Sequence, residues 1–141
     1  MTNTSKLNKE DFEALSEFRY QLRRFLRFSE DIAQNEGLTP LQYQLLLHIK
    51  GYPGREWATV GELAERLQAQ HHGVVALVSR CEKAGLVIRA ASVEDRRQVQ
   101  VSLTALGQQC IAHLAELHHK ELTSLSKIFK VANISAFNDR S

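Results

Sequence analysis

Residues 98–103, Gln-Val-Gln-Val-Ser-Leu, alternate polar and apolar without a break. That is the period-two pattern of a strand with one buried face. The segments around it run on helical spacing instead. Any fold for this chain must therefore set a small piece of sheet into a helical body, and set it late. The stretch Leu-Val-Ile-Arg-Ala-Ala-Ser at 86–92 supplies a partner strand. Between the two lie Glu94, Asp95, Arg96 and Arg97, crowded at what reads as the tip of a hairpin.

The helical segments announce themselves by periodicity and by caps. Phe12, Leu15, Phe18, Leu22, Phe25, Leu26 and Ile32 recur at spacings of three and four, which predicts one helix over about 9–35, ended by Gly37. Thr39, Pro40 and Gln42 form a start signal for a second helix that stops before the Gly-Tyr-Pro-Gly loop at 51–54. Thr59 and Glu62 repeat the capping-box pattern ahead of a short helix carrying Leu63, Ala64 and Leu67. Val74, Leu77, Val78 and Cys81 then mark the inner face of a helix over about 71–84, closed by Gly85. Thr104 caps a last helical region over about 105–138, whose stripe runs through Ile111, Leu114, Leu117, Leu122, Leu125, Ile128, Phe129 and Ala132. Helix, helix, short helix, helix, hairpin, long helix is the order of a winged helix-turn-helix, mostly α with a small β part.

On a wheel of about 100° per residue, the outer face of the 71–84 helix carries His72, Ala76, Ser79 and Lys83, flanked by Gly73, Val75 and Arg80. His71 stands at its start. Small side chains in the middle of such a face let a helix sit deep in a major groove about 12 Å wide. His72 and Arg80 are the candidates for polar contacts. Arg80 can pair with guanine or grip phosphate, and its angle on the wheel favours phosphate. Val75 or Ala76 can touch a thymine methyl. At the hairpin tip, Arg97 suits the strongly negative minor groove. Asp95, two residues earlier, can accept a hydrogen bond from that side chain or from the turn and hold it extended.

These stretches resemble the MarR family of multiple-antibiotic-resistance type regulators. The resemblance rests on Leu-Thr-Pro-Leu-Gln-Tyr-Gln-Leu-Leu at 38–46, Thr-Val-Gly-Glu-Leu-Ala-Glu-Arg-Leu at 59–67, the stretch from Val74 to Arg89, and the wing from Asp95 to Gly107. Within the wing it is carried by Asp95-x-Arg97 and by Leu103, Thr104 and Gly107. It implies a homodimeric winged-helix transcription regulator on pseudo-palindromic double-stranded DNA, usually a repressor, with the 71–84 helix in the major groove and Arg97 in the minor groove. Two departures stand out. The helix opens with Gln-Ala-Gln-His-His-Gly where the family often has a serine-rich cap, and Cys81 stands where the family usually has leucine. The expected division is residues 1–36 as an N-terminal dimerisation helix, 37–104 as the DNA-binding region and 105–141 as C-terminal dimerisation helices, all in one compact domain. Phe12, Tyr20 and Phe28 at one end, and Phe129, Ile134 and Phe137 at the other, call for cover by a second copy.

The resemblance also implies a small-molecule effector, such as a phenolic acid. Tyr20, Arg23, Arg24, Arg27, Tyr43 and His48 are the candidate lining. The three arginines can receive a carboxylate, or can equally stay solvated or contact DNA phosphate. Cys110, His113, His118 and His119 suggest a metal-responsive alternative, but His113 and His118 are five apart and face different ways, so no metal and no cofactor is expected.

Bulk composition decides less. A formal net charge of +2 over 141 residues is too small to argue for nucleic acid by itself. Two cysteines without paired spacing suit a reducing compartment. No apolar signal core opens the chain and no run of about 18 apolar residues exists, so the expected address is the cytoplasm and no membrane partner is expected. No Gly-rich phosphate loop, His-Glu-x-x-His or Gly-x-Ser-x-Gly pattern points to an enzyme. A winged helix that serves only as a protein adaptor is the remaining rival.

Overall fold

A computed structural model describes residues 6–132, with backbone alone at 120–122 and 124–132. The elements are α1 (Lys9–Asn35), α2 (Pro40–Lys50), β1 (Trp57–Thr59), α3 (Val60–Leu67), α4 (His71–Lys83), β2 (Val87–Ala91), β3 (Val99–Leu103) and α5 (Ala105–Ala132). The winged helix-turn-helix order expected from the sequence is present. Ile134 and Phe137, expected in a dimer contact, lie outside the described residues, as does the side chain of Phe129.

The chain divides into two compact units, one holding the residues up to Asp31 and from His118 on, the other Ile32–Leu117. In the first unit, α1 keeps part of its apolar stripe in the open: Phe12, Leu15 and Leu26 are 54%, 42% and 48% exposed. His118 is buried here. Its Nε2 lies 2.8 Å from the Ser29 Oγ, and the rings of Phe25 and Phe28 meet its imidazole edge-on at 6.2 and 6.0 Å.

The second unit is built around Leu45, Leu46 and Ile49 of α2, Leu63 of α3, Val74, Val78 and Cys81 of α4, Val101 of β3, and Ile111 and Leu114 of α5, all fully or almost fully buried. Both expected capping boxes form. Thr39 Oγ1 accepts from Gln42 N at 3.1 Å while Gln42 Oε1 accepts from Thr39 N at 2.9 Å. Thr59 and Glu62 make the same exchange at 3.1 and 2.8 Å. Each such cap is worth about 1 kcal/mol.

The sheet has the order β1-β3-β2, all antiparallel. β2 and β3 are the expected hairpin, with Val87 opposite Leu103 and Ala91 opposite Val99. β1 is a third strand that sequence patterning does not reveal. Three residues are too few to alternate, and Trp57–Thr59 become a strand only by pairing with Ser102, Val101 and Gln100, more than 40 positions on. That pairing makes β3 central, so the expected inside-outside contrast is softened. Val101 is buried, but Gln100 and Ser102 are half-buried along with Val99 and Leu103.

A latch joins the helix-turn-helix to α5. Gly85 takes φ +80° to end α4, and Leu86 N reaches back to Cys81 O at 2.9 Å. Thr104 then donates its hydroxyl to Gly85 O at 2.6 Å, its N–H to Leu86 O at 3.0 Å, and accepts from Gly107 N at 3.0 Å. Any Cβ on residue 107 would run into Leu86 O, so the close approach requires glycine. The Leu-Thr-x-x-Gly spacing is the covalent form of this latch.

Candidate nucleic-acid interface

α4 turns Val74, Leu77, Val78 and Cys81 into the core and leaves the other face to solvent. His71, His72, Gly73, Val75, Ala76, Arg80 and Lys83 are exposed, and Ser79 is half-buried. The mixture of small residues with peripheral basic ones is the one expected. The N-cap position, Gln70, makes no side-chain cap bond. The first N–H groups of α4 are therefore not satisfied by a capping side chain, and they carry the positive end of the helix dipole.

The wing tip is organised from within. Ser92 is buried, and its Oγ accepts from Glu94 N at 3.2 Å and Asp95 N at 3.3 Å. Backbone bonds from Ser92 N to Gln98 O and from Gln98 N to Asp95 O, both 2.9 Å, close the turn. Asp95 Oδ1 accepts from Arg97 N at 3.0 Å and lies 3.6 Å from its Nε. The Arg97 side chain is 94% exposed, so the turn fixes its base and leaves its guanidinium in solvent. Arg96 beside it is also exposed.

Arg97 and the start of α4 open onto one groove. Thr59 and Gly61 at the start of α3, His71 and Val75 of α4, Arg89 of β2, and Arg97 and Gln98 of the wing line it. Three side chains that can carry positive charge converge there with two helix N-termini. The sequence alone assigns none of Thr59, Gly61, Arg89, Gln98 and the supporting Ser92 to the interface. Local signals exist for two of them: the capping box marks Thr59 as a helix start, and Ser92 stands two and three residues before acidic positions.

The corner that places Thr59 and Gly61 has its own brace. The Arg55 guanidinium stacks 3.9 Å over the Trp57 ring and 4.3 Å over the Tyr52 ring, and pairs with Glu62. Tyr52 also donates its hydroxyl to Glu62 at 3.0 Å. Burial works against the Glu62 charge, but the Thr59 N–H, Arg55 and Tyr52 outweigh it and hold the carboxyl below its usual range.

The residues expected to line an effector site are divided. Tyr20, Arg23, Arg24 and Arg27 are exposed on the part of α1 in the first unit. Tyr43 and His48 belong to α2 in the second. Tyr43 is buried in the core, which raises its hydroxyl pKa. His48 is half-buried, and burial first, then the Arg66 charge, lowers its pKa. Of the histidine cluster, His113 lies 3.1 Å from Glu36 and His118 is engaged with Ser29. Among the described residues no group of three His, Cys, Asp or Glu side chains is placed to hold a metal ion. No helix among them is long and apolar enough to cross a membrane.

A helix-turn-helix whose second helix is bare on one face, followed by an arginine-tipped ribbon, defines a winged helix-turn-helix of the nucleic-acid-reading type. Residues 36–98 match the sequence model of the MarR family. A proposed transcriptional regulatory protein for the hcr operon of Thauera aromatica is 31% identical over 98 residues, covering 70% of this chain and 57% of its own length. The HTH-type transcriptional repressor MdtR of Bacillus subtilis strain 168 is 31% identical over 74 residues, covering 52% of this chain and 46% of its own length. The chain spans about half the length of these curated relatives. AbsC, a MarR family transcriptional regulator from Streptomyces coelicolor, shares the fold with a TM-score of 0.70 at 22% identity, over 96% of this chain and 88% of that one. Over residues 36–98 the chain thus carries the sequence pattern of the MarR family, and its fold is the one that AbsC shows.

Proposed function

We propose that the protein is a homodimeric, sequence-specific DNA-binding transcriptional regulator that represses from pseudo-palindromic operators and is released by a small aromatic acid. One observation carries the DNA part. The bare face of α4, small in the middle and basic at its edges, and Arg97 of the wing open onto the same groove. That supports a reading in which α4 enters the major groove and Arg97 the adjacent minor groove. In this reading His71, His72, Gly73, Val75, Ala76, Ser79, Arg80 and Lys83 face the duplex. Asp95 orients Arg97, and Arg96 adds a phosphate contact. The names of the relatives, a regulatory protein and a repressor, support transcriptional control and its sign. The effector rests on the family resemblance and on the exposed guanidiniums of Arg23, Arg24 and Arg27.

Fluorescence anisotropy against duplexes flanking the protein's own coding region tests this. Binding should weaken steeply with salt, and Arg97→Ala should weaken it several-fold across sequences and flatten the salt slope by about one. Aromatic acids should release the duplex. A protein adaptor would show no salt-steep affinity for any duplex, and that result would sink the proposal.

A further inference from the structure

We propose that Glu82 is a specificity-determining residue: it cancels Arg89 towards arbitrary phosphates and so restrains non-specific duplex binding. The inference rests on the reading of α4 and the wing as a duplex-binding face. Arg89 lines the same groove as Arg97 and His71, yet it is held quite differently. Its Nε and Nη2 donate to Glu82 Oε1 at 3.1 and 2.8 Å, and its backbone N–H donates to Oε2 at 3.3 Å. Both carboxylate oxygens are engaged, and the two side chains are only 35% and 36% exposed. Arg97, by contrast, is 94% exposed and its Nε stands 3.6 Å from Asp95. One arginine of the groove is free to meet a polyanion, and the other is already neutralised.

The position of the carboxylate supports the same conclusion. Glu82 is the second-last residue of α4, where the helix dipole favours a cation over an anion. Arg89 is the group that compensates it. A backbone phosphate that takes the Arg89 fork must displace this carboxylate and leave it unpaired beside a polyanion. The exchange yields no net contact on a duplex that offers phosphates alone. Non-specific binding, which is driven by phosphate neutralisation, is thereby reduced by one cation. Contacts made by base edges are not affected in this way, so the ratio of specific to non-specific affinity rises.

The test uses the full chain and a mixed-sequence duplex, with anisotropy titrations between about 50 and 200 mM salt. Glu82→Gln preserves shape and removes the charge. It should bind this duplex more tightly than wild type at low salt. Its salt slope should steepen by about 0.9, so that its affinity falls about threefold further than wild type's across that range. Glu82→Gln with Arg89→Ala should return to the wild-type slope, because the released cation is then gone. A Glu82→Gln slope equal to wild type overturns the proposal. So does a double variant that keeps the steeper slope, because the gain would then come from the lost negative charge and not from a released Arg89. If wild type responds to Arg97→Ala while Glu82→Gln changes nothing, only this inference fails. If wild type shows no salt-dependent duplex affinity, the DNA-binding reading fails and takes this inference with it.

Discussion

The Cys81 thiol is fully buried in the inner face of α4. Burial is the main reason its pKa rises from 9.0 to about 11, with Arg80 pulling it down and Cys110 pushing it up. The unfolded chain ionises this thiol near its ordinary value, while the folded chain keeps it protonated about two units further. The stability this represents is complete below pH 9 and drains away as pH climbs towards 11, by an amount on the order of 2 kcal/mol. Urea midpoints measured across that alkaline window should therefore fall more steeply for wild type than for Cys81→Ala. Tyr43, also raised by burial, contributes equally to both. Parallel slopes would refute the assignment. Because the thiolate is the reactive form, the same shift keeps Cys81 inert to oxidants near neutral pH. At this scale the sequence reveals what is decided within a few residues. Asp95 and Arg97 are legible because the turn that joins them is local. The Glu82–Arg89 pair is not, because it forms only when β2 folds back along α4. The brace of Arg55 on Tyr52, Trp57 and Glu62 needs the β1–α3 corner in the same way.

Among the elements, the turn of the helix-turn-helix contains the one described non-glycine residue with positive φ. Gln68 ends α3 at φ 52°, ψ 47°, with its N–H on Glu65 O at 3.2 Å and its Nε2 on the same carbonyl at 2.8 Å. Ala69 N then reaches Ala64 O at 3.0 Å, completing a left-handed helix end. A side chain in this conformation carries a penalty of about 1 kcal/mol that glycine lacks. Gln68→Gly should leave the denaturation midpoint unchanged or higher, and Gln68→Val should lower stability by about 1–2 kcal/mol, since β-branching is poorly tolerated at positive φ. A destabilised glycine variant together with an unaffected valine variant would show that the turn is not in this conformation in solution. The helices themselves are readable from sequence because caps and apolar periodicity are local properties, as Thr39–Gln42 and Thr59–Glu62 show. β1 is unreadable for the opposite reason, since its identity as a strand belongs to Val101 and its neighbours more than to Trp57–Thr59.

At the scale of the whole molecule, the exposed stripe on α1 bears on the proposed dimer. Phe12, Leu15 and Leu26 are 54%, 42% and 48% exposed. At about 100° per residue they fall within roughly 60° of arc, which makes one apolar ridge with the exposed Arg19 set into it between Leu15 and Leu26. Such a ridge on a long helix needs cover, and a second copy offers a self-complementary partner by two-fold symmetry. The same symmetry would set two α4 helices about 34 Å apart, one helical turn of DNA, so that each reads half of a pseudo-palindrome. We therefore expect the protein to sediment at twice its 16.0 kDa chain mass at micromolar concentration. Leu15→Glu combined with Leu26→Glu should shift it to a monomer that retains its helical circular dichroism, since both residues are already exposed in the single chain. The monomer can neutralise only half the phosphates, so its salt slope on a two-half-site duplex should fall to about half that of wild type. A wild-type protein that sediments as a single chain would leave the ridge without its partner and the two half-sites without a ruler. A charge-bearing variant that stays dimeric would place the dimer contact on another face of the molecule.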